Sequence, residues 1–207
     1  MTHDRTLPAE PSYAVIGSGA VGAYYGGCLQ RLGRDVHYLC RSEYAHVKQH
    51  GWRIDSINGE FDLPKVNVYN DVHQMPRCDV VIVALKTNHN HLLKDLLPPV
   101  VKENGVILIL QNGLGIEKQV AGIVGDDRVM SGLCFICSSR VGVGHIRHID
   151  YGRVEFADYT HDQSPAGITP RMRTVSEDFK RAGNEVVLNE DLVSARWRKL
   201  VWNVPFN

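Results

Sequence analysis

The 207-residue sequence has no long apolar run and no excess of charge of either sign. Its longest purely apolar stretches are Val80–Leu85 and Val106–Leu110, far shorter than the roughly 20 residues that a membrane-spanning helix needs. Lys plus Arg and Asp plus Glu each number 23, so the formal net charge is zero. A balanced charge gives no electrostatic reason to bind nucleic acid or an anionic membrane. The sequence therefore predicts no nucleic-acid partner and no membrane partner.

A disulfide framework is not expected either. The five cysteines are an odd number and are scattered along the chain, which is typical of proteins from a reducing cytoplasm. The first ten residues are polar and lack the apolar segment of a secretory signal. A chain of this length buries roughly 70% of its unfolded surface. We therefore predict a cytoplasmic globular protein whose core needs neither disulfides nor a structural metal.

Apolar segments alternate with helical patterns along most of the chain. Val80–Leu85 and Val106–Leu110 are rich in β-branched residues, as expected for parallel strands buried on both faces. Asn58-Gly59 between extended segments indicates a hairpin, and Pro170 suits the first position of a helix. The alternation predicts an α/β fold with a Rossmann-type, doubly wound parallel sheet and an antiparallel extension. Less regular segments are predicted as a helix over His91–Leu97, a helix capped by Ser42, and strands Val129–Ser138, His145–Ile149 and Arg153–Ala157.

The strongest chemical motif is a glycine-rich turn that fits G-x-G-x-x-G and consists of Gly17, Ser18, Gly19, Ala20, Val21 and Gly22. It follows a predicted strand and opens a predicted helix, which is the context of a dinucleotide site. Gly17 would allow the tight turn, Gly19 the approach of the backbone to a pyrophosphate, and Gly22 close packing of helix on strand. The alternative is a glycine turn with only a structural role.

The residue after the second predicted strand bears on which dinucleotide is bound. In NAD-binding proteins an acid about 20 residues after the glycines accepts the ribose 2′-hydroxyl. Here that position holds Arg41, whose guanidinium can bind a 2′-phosphate with two hydrogen bonds. The alternative is a solvated arginine at the start of a helix. The sequence thus favours NADP(H) as the cofactor.

Polar residues also follow two later strands. Lys86 comes after Val80–Leu85, and Asn112 comes after Val106–Leu110. Open parallel sheets bind ligands beyond the carboxyl ends of their strands, so both are candidate cofactor contacts. Asn112-Gly113 is equally typical of an ordinary turn.

The last predicted helix carries the candidate catalytic residue. Lys199, Asn203 and Asn207 are spaced i, i+4, i+8 after a capping Asp191, so they share one helix face. An amine and two amides on one stripe suit recognition of a small polar substrate, and Pro205 is expected to kink the helix. A solvated amphipathic face is the alternative.

Metal binding is not predicted. Cys134 and Cys137 match C-x-x-C but lie in a strand-like segment, whereas the redox motif begins a helix. His46 and His50 are one helical turn apart without an evident third ligand.

The sequence resembles the ketopantoate reductase (2-dehydropantoate 2-reductase) family from Tyr13 onward, in Gly17-x-Gly19-x-x-Gly22, Arg41, Lys86-Thr87, Gln111-Asn112-Gly113 and Trp197-x-Lys199-Leu200-x-x-Asn203 with Asn207. The resemblance implies NADPH-dependent reduction of 2-dehydropantoate to (R)-pantoate, a step toward pantothenate and coenzyme A. It implies Lys199 as the general acid for the carbonyl oxygen and Lys86 near the nicotinamide. It also implies Asn112, Asn203 and Asn207 as substrate-binding residues, with Asn112 next to the cofactor as well.

The resemblance also predicts the domain organisation. Residues 1–12 are expected to be a flexible tail, 13–189 an NADP-binding Rossmann-like domain, and 190–207 the start of a C-terminal helical substrate domain that is truncated here. The expected partner is a small 2-keto acid, and a homodimer is left open. Two alternatives remain, a non-catalytic NADP-binding fragment and a reductase of another small 2-keto or 3-hydroxy acid.

Overall fold

The computed structural model describes residues 6–206, except the side chains at 202, 205 and 206. Strands and helices alternate through the first half of the chain, and a long hairpin follows. In chain order the elements are β1 (Tyr13–Ile16), α1 (Ala20–Arg31), β2 (Val36–Leu39), α2 (Tyr44–His50), β3 (Trp52–Ser56), β4 (Phe61–Leu63), β5 (Asn67–Tyr69), β6 (Cys78–Val83), α3 (Leu93–Leu96), β7 (Val101–Ile109), α4 (Ile116–Val124), β8 (Val129–Gly142), β9 (His145–Asp158), α5 (Pro170–Arg181), β10 (Val186–Leu188) and α6 (Leu192–Phe206).

The strands form one mixed sheet in the order β4-β3-β9-β8-β7-β6-β1-β2-β5, with β10 also paired to β9. In the half of the sheet that runs β8-β7-β6-β1-β2-β5, every pair of neighbouring strands is parallel. The pairs β8 with β9 and β3 with β4 are antiparallel. The predicted Rossmann-type parallel sheet with an antiparallel extension is therefore confirmed. Ile16, Leu39, Val83 and Ile109 are in register at the ends of neighbouring strands. The turns that follow these four strands consequently meet at one edge of the sheet.

Both faces of the sheet are covered. Val80 and Ile82 of β6 belong to the core cluster that contains residues of α1 and α5, whereas Val81 and Val83 belong to the cluster with α3 and α4. Successive strand residues point to opposite faces, so a strand with helices on both sides must be apolar throughout. This is the physical reason for the unbroken apolar run that the sequence shows there.

Local turn signals were correct where glycine or proline determines the backbone. Asn58-Gly59 joins β3 to β4, and Gly59 has a φ of 109°. Pro170 is the first residue of α5. Thr169 caps the N-terminus of this helix, because its hydroxyl accepts a hydrogen bond from the Met172 N–H at 3.4 Å. Asp191 likewise caps α6 by accepting from the Ser194 N–H at 3.0 Å.

One helix is confirmed in part, and two expectations need correction. The helix expected over His91–Leu97 is present as α3 from Leu93 to Leu96. A 3-10 helix over Thr87–Leu92 precedes it, and buried Asn90 there is held by side chains of the next loop and of α4. The expected strands from His145 to Ala157 are one strand, β9, with a bulge at Tyr151 and Gly152, whose φ values are 61° and 112°. The helix expected to be capped by Ser42 has Glu43 at its N-cap.

Part of the expected flexible tail is fixed to the sheet. The Ser12 N–H and hydroxyl donate to Asp79 Oδ2 at 3.0 and 2.7 Å, and Arg34 pairs with Glu10 at 3.0 Å. α6 continues through Pro205 to Phe206, so the proline does not end the helix. Over the described residues, no helix is long and apolar enough to cross a membrane.

A buried ion pair joins the start of α5 to the end of β9. Arg171 Nε lies 3.0 Å from Asp158 Oδ1, and neither side chain has any exposed area. Thr169 Oγ1 also donates to Asp158 Oδ2, at 2.6 Å. Removing one partner of such a pair leaves a desolvated charge without compensation.

We expect Asp158→Asn to lower the free energy of unfolding by about 3–5 kcal/mol, because Arg171 would stay buried without its counter-charge. Urea unfolding of the variant measures this loss. Asp162→Asn is the matched control, since Asp162 is exposed and surface substitutions usually change stability by less than about 0.5 kcal/mol. Equal effects of the two substitutions would contradict the role of the pair.

Candidate active site

The glycine turn is packed against the end of β6. Gly17 has a φ of 104°, and a Cβ there would lie 2.5 Å from the Leu85 backbone nitrogen. A Cβ on Gly22 would lie 2.2 Å from the Gly17 carbonyl oxygen. A Cβ on Gly19 would meet no atom within 4 Å. Gly17 and Gly22 are therefore required by packing, whereas Gly19 leaves open space at the start of α1.

The N-terminus of α1 has the features of an anion site. Gly19 is its N-cap, no side chain caps it, and its first turn contains no acid. The first N–H groups of a helix have no intrahelical partner and carry the positive end of the helix dipole. With Gly19 leaving space for close approach, these groups fit the pyrophosphate of a dinucleotide.

Arg41 lies close to this turn along the sheet edge. The Ser18 hydroxyl donates to the Leu39 carbonyl at 2.7 Å and so ties the turn to the end of β2, two residues before Arg41. The Arg41 side chain is exposed, and no ion pair restrains it within residues 6–206. The acid nearest in sequence, Glu43, is buried and pairs with Arg140 at 3.4 Å. The Arg41 guanidinium is thus available to a phosphate.

Gln111 joins the loops after β6 and β7. Its side-chain amide donates to the Leu85 carbonyl and to Asn90 Oδ1, both at 2.7 Å. This fixes the backbone next to Asn112. Lys86 begins the turn after β6, and its side chain is exposed.

Lys199 reaches this edge from α6. Its Nζ donates to Asn112 Oδ1 at 2.8 Å, and the residue is only 4% exposed. The Nζ also lies 5.3 Å from the centre of the Phe135 ring. Burial is the main cause that lowers the pKa of Lys199, and the positive charge of Arg196 adds to it. Lysines in such surroundings release a proton more readily than exposed ones.

A cavity of about 630 Å³ lies between β8, β9 and α6. It brings together three of the residues singled out in the sequence, Asn112, Lys199 and Asn203. Asn207 lies outside the described residues. The glycine turn, Arg41 and Lys86 do not line this cavity. Its further lining includes Cys134, Phe135, Tyr151, Arg153, Glu155 and Arg198.

The family model described as Ketopantoate reductase PanE/ApbA matches residues 13–161. The chain belongs to the ketopantoate reductase family. It is 53% identical over 198 residues to a 2-dehydropantoate 2-reductase of Nostoc sp., a match that covers 96% of this chain and 62% of that protein. The crystal structure of 2-dehydropantoate 2-reductase from Geobacter metallireducens is similar with a TM-score of 0.89 at 39% identity, over 94% of this chain and 63% of that one.

A more distant structure shares the fold. D-mandelate dehydrogenase, solved with NADH and anilino(oxo)acetate, has a TM-score of 0.80 at 19% identity, over 93% of this chain and 61% of that one. The chain thus spans less than two thirds of the length of each of these proteins.

In this member of the ketopantoate reductase family, α6 is fixed by a buried cluster that the sequence analysis missed. Arg196 Nη2 contacts Glu117 Oε1 and donates to Ser131 Oγ at 2.5 Å. Arg196 Nη1 donates to the Gln111 carbonyl at 3.3 Å, and Ser131 Oγ donates to Glu117 Oε1 at 2.7 Å. The only sequence signal was an arginine three residues before Lys199, which by itself is typical of a solvated helix face.

The cysteine and histidine motifs form no metal cluster. Cys134 and Cys137 both lie on β8, where burial raises the pKa of Cys134 to about 11. The rings of His46 and His50 are 4.7 Å apart. Within the part of the chain that the structure describes, no three His, Cys, Asp or Glu side chains are grouped to hold a metal ion.

The two glycines of the turn should respond differently to the same substitution. We expect Gly17→Ala to lower the free energy of unfolding by about 2–4 kcal/mol, because it adds backbone strain and a clash with Leu85. Gly19→Ala should change it by less than about 1 kcal/mol, since the added methyl meets open space. Urea unfolding of the two variants tests this, and similar losses would contradict the packing role of Gly17.

Proposed function

We propose that this chain is the cofactor-binding and general-acid portion of an NADPH-dependent 2-dehydropantoate 2-reductase. The reaction would reduce the 2-keto group of 2-dehydropantoate to (R)-pantoate on the route to pantothenate and coenzyme A. The observation that carries the proposal is the buried Lys199 whose Nζ donates to Asn112 at 2.8 Å. Membership in the ketopantoate reductase family and the name of the Nostoc relative support it. The absence of any disulfide among the five cysteines is compatible with a cytoplasmic enzyme.

The glycine turn and Arg41 would hold the dinucleotide. The backbone from Gly17 to Gly22, with Ser18, Ala20 and Val21 between the glycines, would receive the pyrophosphate at the N-terminus of α1. Arg41 would bind the 2′-phosphate, and Lys86 and Asn112 would contact the nicotinamide end. When bound, the reduced nicotinamide supplies the hydride. The open N-terminus of α1 and the free guanidinium of Arg41 support this assignment.

Lys199 would act as the general acid. Addition of hydride to the ketone carbon breaks the carbon–oxygen π bond and leaves a negative charge on the oxygen. The Lys199 ammonium would stabilise that charge and give its proton to the oxygen, which yields the hydroxyl. Asn112 would orient the ammonium through the hydrogen bond to its Oδ1. Burial favours this step, because it both strengthens the electrostatic interaction and lowers the pKa of the lysine.

The remaining residues on the face of α6 would contact substrate. Asn203 lines the same cavity as Lys199, and Asn207, which lies outside the described residues, is proposed as a further substrate contact on the basis of the family resemblance. We assign residues 13–189 to the cofactor domain and 190–207 to the start of a helical substrate domain. The chain spans 62% of the Nostoc relative, so turnover is to be tested on the full-length protein.

Arg41→Ala should weaken NADPH binding by about 10- to 100-fold, the usual loss for charge-assisted hydrogen bonds to a phosphate. Binding of NADH should be nearly unchanged, because NADH has no 2′-phosphate. Calorimetric titration of wild type and variant with both cofactors measures the contrast. Arg173→Ala on the exposed side of α5 is the control. Equal affinity of the wild type for NADPH and NADH would remove the argument for Arg41.

Lys199→Ala in the full-length protein should reduce turnover of 2-dehydropantoate by about 10²–10⁴-fold while leaving NADPH affinity nearly intact. In the wild type, reduction needs the ammonium form. The rate should therefore fall as the pH rises through the pKa of Lys199, which lies below the ordinary lysine value of 10.5. Asn112→Asp adds a negative charge beside Nζ and should move this fall to higher pH. A pH profile of kcat/KM checks both statements, and a shift to lower pH would contradict the role of Lys199.

A further inference from the structure

The segment from Cys40 to Gly51, which follows β2, contains one acid, Glu43. It comes two residues after Arg41, and the Tyr44 N–H donates to the Arg41 carbonyl at 3.4 Å, so residues 41–44 form a compact turn. The Glu43 side chain is only 8% exposed. Glu43 is the N-cap residue of α2, but its carboxylate does not cap the helix. A largely buried carboxylate therefore lies in the same turn as the arginine assigned to the 2′-phosphate.

The charge of Glu43 is compensated by an arginine from the other half of the sheet. Arg140, near the tip of the β8–β9 hairpin, places Nη1 3.4 Å from Glu43 Oε2. Among the residues that the structure describes, no other cation lies at ion-pair distance from Glu43. Burial is the main cause that raises the pKa of the Cys40 thiol; the Glu43 carboxylate adds to the rise, and the Arg140 guanidinium opposes it. Both charges thus act on the residue directly before Arg41.

The same hairpin also touches the glycine turn. The Ser138 hydroxyl donates to the Ala20 carbonyl at 3.3 Å, and Ala20 is the first residue of α1. Arg140 lies two positions further along β8. One strand therefore contacts both the proposed pyrophosphate site and the turn that carries Arg41.

We infer that Arg140 sets how strongly NADPH is preferred over NADH, because it neutralises Glu43 beside the 2′-phosphate. This inference rests on the proposed function, since it concerns the cofactor assigned there. A phosphate monoester carries between one and two negative charges near neutral pH, and an uncompensated carboxylate close by repels it. NADH has a hydroxyl at this position, from which a carboxylate can accept a hydrogen bond. Loss of Arg140 would therefore penalise NADPH and spare NADH.

Asp71 is the competing acid at this edge of the sheet. It follows β5, the neighbour of β2, and its Oδ1 accepts from the His73 N–H at 2.9 Å. Asp71 is exposed, and water and salt screen an exposed charge much more than a buried one. The largely buried Glu43 is screened less, which is the reason to assign the effect to it.

The test is a calorimetric titration of the full-length protein with NADPH and with NADH. We expect Arg140→Met to weaken NADPH binding by about 5- to 20-fold and to change NADH binding by less than about threefold, the usual size of a surface effect. Adding Glu43→Gln to Arg140→Met should restore NADPH affinity, because no charge is left to neutralise. Arg147→Met is the matched control, since Arg147 lies on the same hairpin and pairs with Asp55 at 3.6 Å.

Equal losses for NADPH and NADH in Arg140→Met would overturn the inference, because they would indicate a structural role of the ion pair. A loss that Glu43→Gln does not rescue would overturn it as well, since Arg140 would then bind the phosphate itself. The wild type could also prefer NADPH while Arg140→Met keeps the same preference, which would reject this inference alone. Failure of the wild type to reduce 2-dehydropantoate would reject the proposed reaction, whereas a loss confined to NADPH would still support the inference. A wild type without preference for NADPH would reject both the inference and the proposed cofactor.

Discussion

The arrangement of the site depends on the buried ion pair between Arg196 and Glu117. It fastens α6, the last element of the chain, to α4 and through Ser131 to β8. Because Arg196 also donates to the carbonyl of Gln111, the same side chain fixes the loop that carries Asn112. Lys199 lies one helical turn further along α6. Its contact with Asn112 is therefore set by an interaction in which neither residue takes part.

This arrangement places two cations of one helix in a largely buried environment. Each needs compensation, since a desolvated charge without a partner destabilises the fold. Arg196 receives a full negative charge from Glu117 and behaves as a structural residue. Among the described residues no carboxylate lies at ion-pair distance from Lys199, whose Nζ donates to the neutral amide of Asn112 and lies near the Phe135 ring. Burial lowers the pKa of both side chains. Arg196 is paired with a carboxylate and keeps the helix in place, whereas Lys199 is held by a neutral amide, which suits the proton-donor role proposed for it.

Sequence reasoning succeeded where a local constraint determines the structure. Positive φ at Gly17, the turn at Asn58-Gly59 and the first position of α5 at Pro170 each follow from the residue itself. It failed where the partner is distant. Arg196 and Glu117 are 79 positions apart, and nothing near either residue indicates that they meet. Arg140 was likewise not identified, because its contact with Glu43 joins the β8–β9 hairpin to the start of α2.

The position of β9 in the sheet has a consequence for folding. The hairpin of β3 and β4 lies early in the sequence, but β3 also pairs with β9, which lies about 90 residues later. Arg53 of β3 is aligned with His145 of β9. Until β9 is synthesised, one edge of β3 has no neighbouring strand. An exposed strand edge can pair with another chain and so lead to aggregation. Pairing of β3 with β9 also closes a long loop of intervening chain, and such non-local contacts form slowly. Correct assembly of this half of the sheet therefore waits for the same hairpin that supplies Phe135 and Arg153 to the cavity.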